Sequence, residues 1–139
     1  MTETPRLEPI AQDRRGANWS LLLPDGSELI LIFTRKGMYR GGHWHDKPET
    51  NLMLSGRIKY WKRYPDGRET EFELGPGETS HNEPGEAHLG LALEDYWLVE
   101  WKIGVKAKES KTTSYTPYRE KVDEQLKGGA QSTSAANRK

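Results

Sequence analysis

The stretch "GGHWHDKPETNLMLSG", residues 41–56, sets His43 and His45 one residue apart and Glu49 four residues further on. In an extended strand successive side chains alternate faces, so the two histidines project to one side with Cα atoms about 6.5–7 Å apart. That separation suits two imidazoles converging on one ion. Glu49, past the bend at "DKP", begins the next strand, from which a carboxylate can reach the same point. An isolated His-x-His pair is more often two solvated or core histidines, so the pair alone leaves both readings open. The chain has only four histidines, at 43, 45, 81 and 88, and His88 follows a "PGEAH" turn and opens a strand that can face the same interior. Trp44 must point the other way, into packing. Cysteine is absent, which leaves any metal to imidazole, carboxylate and water.

The elements that must position these residues are written in the turn punctuation. "PDG" at 24–26 and 65–67, "SG" at 55–56, "GPG" at 75–77 and "EPG" at 83–85 separate short segments at the spacing of an all-β sandwich or barrel. Between the turns lie 28–35, 50–54, 57–64, 69–74, 87–93 and 96–103, rich in β-branched and aromatic residues. Residues 1–18, polar with two prolines, read as an N-terminal arm, 19–103 as the barrel and 104–139 as a C-terminal extension. Within that extension Thr116 as N-cap, Pro117 at the first helical position and Gly128 past the end bound a short helix with a narrow stripe of Tyr118, Val122 and Leu126. The tail beyond it reads as disordered.

At the histidines the chain resembles the cupin superfamily. The first motif of that superfamily, Gly, five residues, His-x-His, three or four residues, Glu, six residues, Gly, fits Gly37, His43, His45, Glu49 and Gly56 without a gap. In the second, Gly77, Gly85 and His88 fall in register, while Glu83 stands where the pattern has Pro and Ala92 where it has Asn. The resemblance implies an all-β double-stranded β-helix, the jelly-roll barrel, with the short helix appended. It also implies His43, His45, Glu49 and His88 as ligands of one divalent transition-metal ion.

Three imidazoles and one carboxylate suit Fe, Mn, Ni, Cu or Zn, and affinity alone does not choose among them. Such a centre leaves positions for a small oxygen-rich chelating substrate, and the expected activity is that of a dioxygenase-type oxidoreductase. Metal-assisted isomerisation, epimerisation or lyase action, or binding without turnover, are the alternatives. His81, in the polar stretch "HNEPGE", is a candidate to move a proton, with Glu49 as the other residue able to do so. Counting by twos places Asn51 and Met53 with Glu49, and Gly90 and Ala92 with His88, on the interior. The 21 basic and 21 acidic residues cancel, which argues against a nucleic-acid partner despite the basic, aromatic stretch at 57–68. No apolar run reaches the length of a membrane span, and the first ten residues lack a leader's apolar region, so cytoplasm is the expected compartment. Aromatic residues expected at the surface, Trp61, Tyr64, Trp97 and Trp101, predict a homodimer.

Overall fold

The computed structural model describes residues 4–102 and 109–136, with side chains up to residue 127. Eleven strands and one helix follow the turn punctuation: β1 (Arg6–Asp13), β2 (Gly16–Leu22), β3 (Glu28–Thr34), β4 (Tyr39–His45), β5 (Glu49–Ser55), β6 (Ile58–Arg63), β7 (Glu69–Leu74), β8 (Thr79–Asn82), β9 (Ala87–Ala92), β10 (Tyr96–Trp101), β11 (Thr112–Ser114) and α1 (Thr116–Ala136). Two antiparallel sheets face each other, one in the order β1-β2-β3-β10-β5-β8 and the other β11-β4-β9-β6-β7. This is the expected jelly roll, and its two sheets face one another without closing into a single ladder. Among the described residues no helix is long and apolar enough to cross a membrane.

Inward-facing residues change character along the strands. Ile30, Ile32, Met53, Ile58, Leu74 and Leu98 pack into one apolar cluster with Tyr60, Ala92 and Tyr96. Moving along β5 from Met53 through Asn51 to Glu49, and along β9 from Ala92 through Gly90 to His88, the same inner faces become polar. All six of these residues are buried, as alternation from Glu49 and His88 predicts. The four motif glycines, Gly37, Gly56, Gly77 and Gly85, all turn the chain at φ between 83° and 88°, where a Cβ is disfavoured.

Three parts of the chain differ from expectation. The N-terminal arm is a β1–β2 hairpin that extends the six-stranded sheet, although every residue of β1 is exposed. Its hydrophobicity could not announce it, because an edge strand is held by its ladder; Pro9 is tolerated beside an irregularity between Pro9 and Ala11. The extension contributes β11, which pairs with β4, as well as the helix. The first intrahelical bond runs from the Arg119 N–H to the Tyr115 carbonyl at 2.8 Å, so Tyr115, one residue before Thr116, occupies the capping position. The helix also continues past Gly128 and Gly129 to Ala136, since interior glycines cost about 1 kcal/mol each and do not by themselves end a helix. The tail expected to lack fixed structure lies, for residues 137–139 and for the side chains from 128, outside the described residues.

The helix covers the outer face of the five-stranded sheet. Tyr118 and Val122 join Ala87 and Leu89 in a second cluster, against which Trp44, Trp61 and Leu126 pack. Full burial of a side chain such as Val122, 0% exposed, contributes roughly 1.5–3 kcal/mol. Trp61 is therefore packing beneath the chain's own helix, and Tyr64 lies under the Lys62 and Arg68 cations. Gly42 makes the docking possible: a Cβ there would come within 2.7 Å of the Arg119 Cα, and its φ is +86°. Gly42→Ala is expected to destabilise the chain by about 1–3 kcal/mol, from backbone strain and the displaced helix together. A urea denaturation midpoint equal to wild type would contradict this.

Candidate metal centre

Gly42 also sets the register of the strand that bears two of the histidines. In the β4–β9 ladder Arg40 pairs with Gly90 and Gly41 with Leu89, the register then shifts, and His43 pairs with His88. Gly42 is the extra residue of this bulge, and it puts His43 and His88 side by side on the inner face. The ring centroids of His43 lie 4.7 Å from His45 and 4.8 Å from His88, and those of His45 and His88 are 5.4 Å apart. One nitrogen from each of the three falls within 4.8 Å of the others.

Glu49, 2% exposed, arrives from β5 on the facing sheet. Its Oε1 lies 2.8 Å from His45 Nε2, and its Oε2 lies 3.8 Å from His88 Nε2. The structure thus brings His43, His45, Glu49 and His88 together. Other contacts hold them in place: Asn51 Nδ2 donates to Glu49 Oε2 at 3.3 Å and to Ser80 Oγ at 3.3 Å. His45 Nδ1 lies 3.0 Å from Thr112 Oγ1 of β11, leaving Nε2 aimed at the group. Tyr60 stacks on His88 at 6.0 Å and accepts a hydrogen bond from Asn82 at 2.7 Å.

Burial decides the charge of these groups. It pulls His43 down to about 3, helped by the neighbouring His88 and His45, and it lowers His88 as well, so both rings are neutral with lone pairs to offer. Burial alone would raise the Glu49 carboxyl; its hydrogen bond with His45 first, and the Lys102 ammonium beyond it, outweigh that and hold it well below the ordinary carboxylate range. Lys102 Nζ lies 3.3 Å from Glu49 Oε1 and 3.4 Å from Glu100 Oε2. Glu100, by contrast, is pushed up to about 7, first by burial and then by the negative charge of Glu49.

These groups form part of the wall of a cavity of about 340 Å³ between the sheets. Ile30, Ile32, Ile58 and Leu98 supply its apolar wall, and Arg40, Glu100, Asn18 and Tyr96 are among its other polar groups, with Arg15 and Arg119 as further cations. Arg40 donates to Thr34 Oγ1 at 2.6 Å and to the Phe33 carbonyl at 3.1 Å, and among the described residues no carboxylate pairs with it.

The backbone resembles several solved structures. The capsular polysaccharide assembling protein CapF from Staphylococcus aureus superposes with a TM-score of 0.67 at 21% identity, over 80% of this chain and 33% of that one. An S161A mutant of Bacillus subtilis oxalate decarboxylase gives 0.68 at 20%, over 84% and 33%, and the oxalate decarboxylase of Lactobacillus farciminis 0.64 at 20%, over 79% and 34%. The chain has the cupin fold. It spans about a third of the length of each of these three chains. By sequence it matches no family profile and no curated protein.

The donor set of this chain fits one divalent transition-metal ion. Three nitrogens mutually within 4.8 Å all lie within about 2.8 Å of one common point, so each need move by roughly half an ångström or less to reach the ~2.2 Å of a metal–donor bond. His81 is not brought to this group. It lies on the outer face of β8, its side chain 43% exposed, between Thr50 Oγ1 at 2.9 Å and Glu83 Oε2 at 2.7 Å. The inward residues of β8 are Ser80 and Asn82. Sequence reasoning left Arg40, Glu100, Lys102 and Thr112 unassigned. Glu100 and Lys102 could have been found by counting by twos from Leu98, whereas Thr112 belongs to a strand with no sequence signature.

Loss of His45 is expected to remove the ion, and Thr112→Val to weaken its binding about 10–100-fold by freeing the His45 ring. His81→Ala should change neither. Metal titration of the three variants with manganese or zinc checks this; equal affinity in all three would contradict it.

Proposed function

We propose that this cupin is a metal-dependent enzyme acting on a small, anionic, oxygen-rich substrate, with dioxygenase-type oxidation as its reaction and iron or manganese as its ion. The observation that carries the reading is the shared cavity: the four-residue donor set and the guanidinium of Arg40, which makes no ion pair among the described residues, line the same space of about 340 Å³. That volume sits near the lower end of the range for ligand sites, which limits the substrate to a small molecule. When bound, a redox-active ion would supply a site for chelating oxygens and for dioxygen.

The chain's own residues do the rest. Arg40, fixed by Thr34 and the Phe33 carbonyl, presents its remaining donors to an anionic end of the substrate. Ile30, Ile32, Ile58 and Leu98 exclude water from the reacting end, which strengthens each polar contact made there. Asn51, Thr112 and Lys102 keep Glu49 and His45 in their orientations. The same fold in oxalate decarboxylase, an enzyme named for a small dianion and with Mn(II) centres in the Bacillus subtilis protein, supports the substrate class and the ion.

A second reading is favoured by Glu100. A cavity carboxyl held near 7 is poised to exchange a proton, which suits metal-assisted isomerisation or lyase chemistry at a carbon beside a carbonyl. The readings part on oxygen. Protein loaded with iron or manganese, given a panel of small dicarboxylates, 2-oxo acids and diketones, should consume dioxygen with substrate under the first; turnover that persists anaerobically supports the second. Arg40→Gln is expected to raise KM for an anionic substrate by about 10–100-fold while metal content stays near wild type. If Glu100 accepts the proton, the rate rises as pH increases through about 7, and Glu100→Gln lacks that limb. An Arg40→Gln variant with unchanged KM for every substrate would remove the basis for the anionic class.

A further inference from the structure

Three arginines stand on the wall of the metal-site cavity, each from a different part of the chain: Arg15 from the turn between β1 and β2, Arg40 from β4 and Arg119 from α1. Apart from the four metal donors, the described lining residues set these three cations against one carboxyl, that of Glu100. Arg15 is firmly placed. Its side chain is 19% exposed, and its Nε and Nη2 donate to Asp13 at 2.7 to 3.1 Å. Its carbonyl accepts from the Arg35 N–H at 2.8 Å, and the neighbouring Arg14 donates to the Gln125 carbonyl of α1 at 3.2 Å.

The Asp-x-Arg pairing is in itself turn chemistry, because Asp66 and Arg68 make it too between β6 and β7, where the Arg68 side chain is 67% exposed. Position sets Arg15 apart: it lines the cavity with Arg40, and no described residue takes its Nη1. Two guanidiniums in one wall disfavour each other. Burial above all, with the charge of Arg15 adding to it, lowers the proton affinity of Arg40. Asp13 supplies one negative charge near the two cations, and a bound anion would supply the second.

We infer that Arg15 and Arg40 form a second anion subsite, selecting a substrate whose terminal carboxylate lies several bonds from the oxygens that chelate the metal, a dianion of the 2-oxo dicarboxylate class. This rests on the metal-dependent reading above and narrows its substrate. The β9 partners of Arg40 and His43 are Gly90 and His88, two residues apart, or about 6.6 Å along the strand. The Arg40 guanidinium leans onto Thr34 and the Phe33 carbonyl, towards the β3–β4 corner and away from the histidines. Two carboxylates joined by a single C–C bond of about 1.5 Å are too close together for this spacing, and about three or four such bonds suit it. Ile32 and Leu98 on the same wall suit the methylene carbons between. Arg119, its Nε paired with Asp123 and its Nη1 with the Gly41 carbonyl, adds positive field at the histidine end.

Isothermal titration calorimetry on the manganese-loaded chain tests this with 2-oxopentanedioate and 2-oxopentanoate, which differ in one terminal carboxylate. The dianion is expected to bind at least about tenfold more tightly. Arg15→Gln should remove most of that ratio while changing the affinity for the monoanion less than about twofold, and Arg15→Lys, which keeps the charge but not the fork, should retain part of it. Arg68→Gln, which breaks the same turn pair away from the cavity, should alter neither affinity. Equal affinity for the two acids, or an Arg15→Gln variant that weakens both alike, would overturn the subsite while leaving the metal-dependent reading in place. Dianion binding that persists without manganese and is still lost in Arg15→Gln would uphold the subsite and count against that reading.

Discussion

A buried carboxylate is the constraint around which this molecule is arranged. Glu49 stands 2% exposed at the head of β5, where an ionised group without partners would cost several kcal/mol. Its two oxygens are instead met by His45, Asn51 and Lys102, with His88 slightly farther off. Those groups come from β4, β5, β9 and the residue after β10, so both sheets are committed to neutralising one charge. A divalent ion among the imidazoles would meet the same requirement more strongly. Lys102 remains able to hold the oxygen that the ion leaves free.

The rest of the interior follows from the placement of that charge. The apolar cluster around Met53, Ile58 and Leu98 occupies the end of the sandwich away from it and anchors the strands whose other ends bear the ligands. Between the two lies the cavity, with Arg40 in its wall. Burial lowers the proton affinity of His43 and His88 and raises that of Glu100, so one low-dielectric environment prepares metal donors and holds a proton nearby. The helix contributes from outside. By docking Arg119 against Gly42 it supports the bulge that sets His43 opposite His88.

Much of this was legible in the sequence. The His-x-His pair, Glu49 and His88 were marked by spacing and by the strand period, and the six central strands by turn residues and β-branched runs. What escaped did so for identifiable reasons. Strict alternation back from His43 puts Arg40 outside; the bulge at Gly42 shifts the parity by one and brings it in. The β1 strand and β11 are exposed ladders whose pairing partners are remote or irregular, so local hydrophobicity carries no trace of them. Polarity made His81 conspicuous, but on β8 it alternates with Ser80 and Asn82, which face inward. Gly128 looked like a stop because a glycine after a short stripe usually is one.

The claim most directly open to measurement is that four side chains share one ion. Anomalous diffraction from crystals of protein loaded with one equivalent of manganese, collected above the manganese absorption edge, would locate it. The account predicts a single peak among His43, His45, His88 and Glu49, with three nitrogens and one oxygen about 2.0–2.3 Å away and Lys102 still beside Glu49. A peak elsewhere, or a centre from which Glu49 is withdrawn to pair with Lys102 alone, would contradict it.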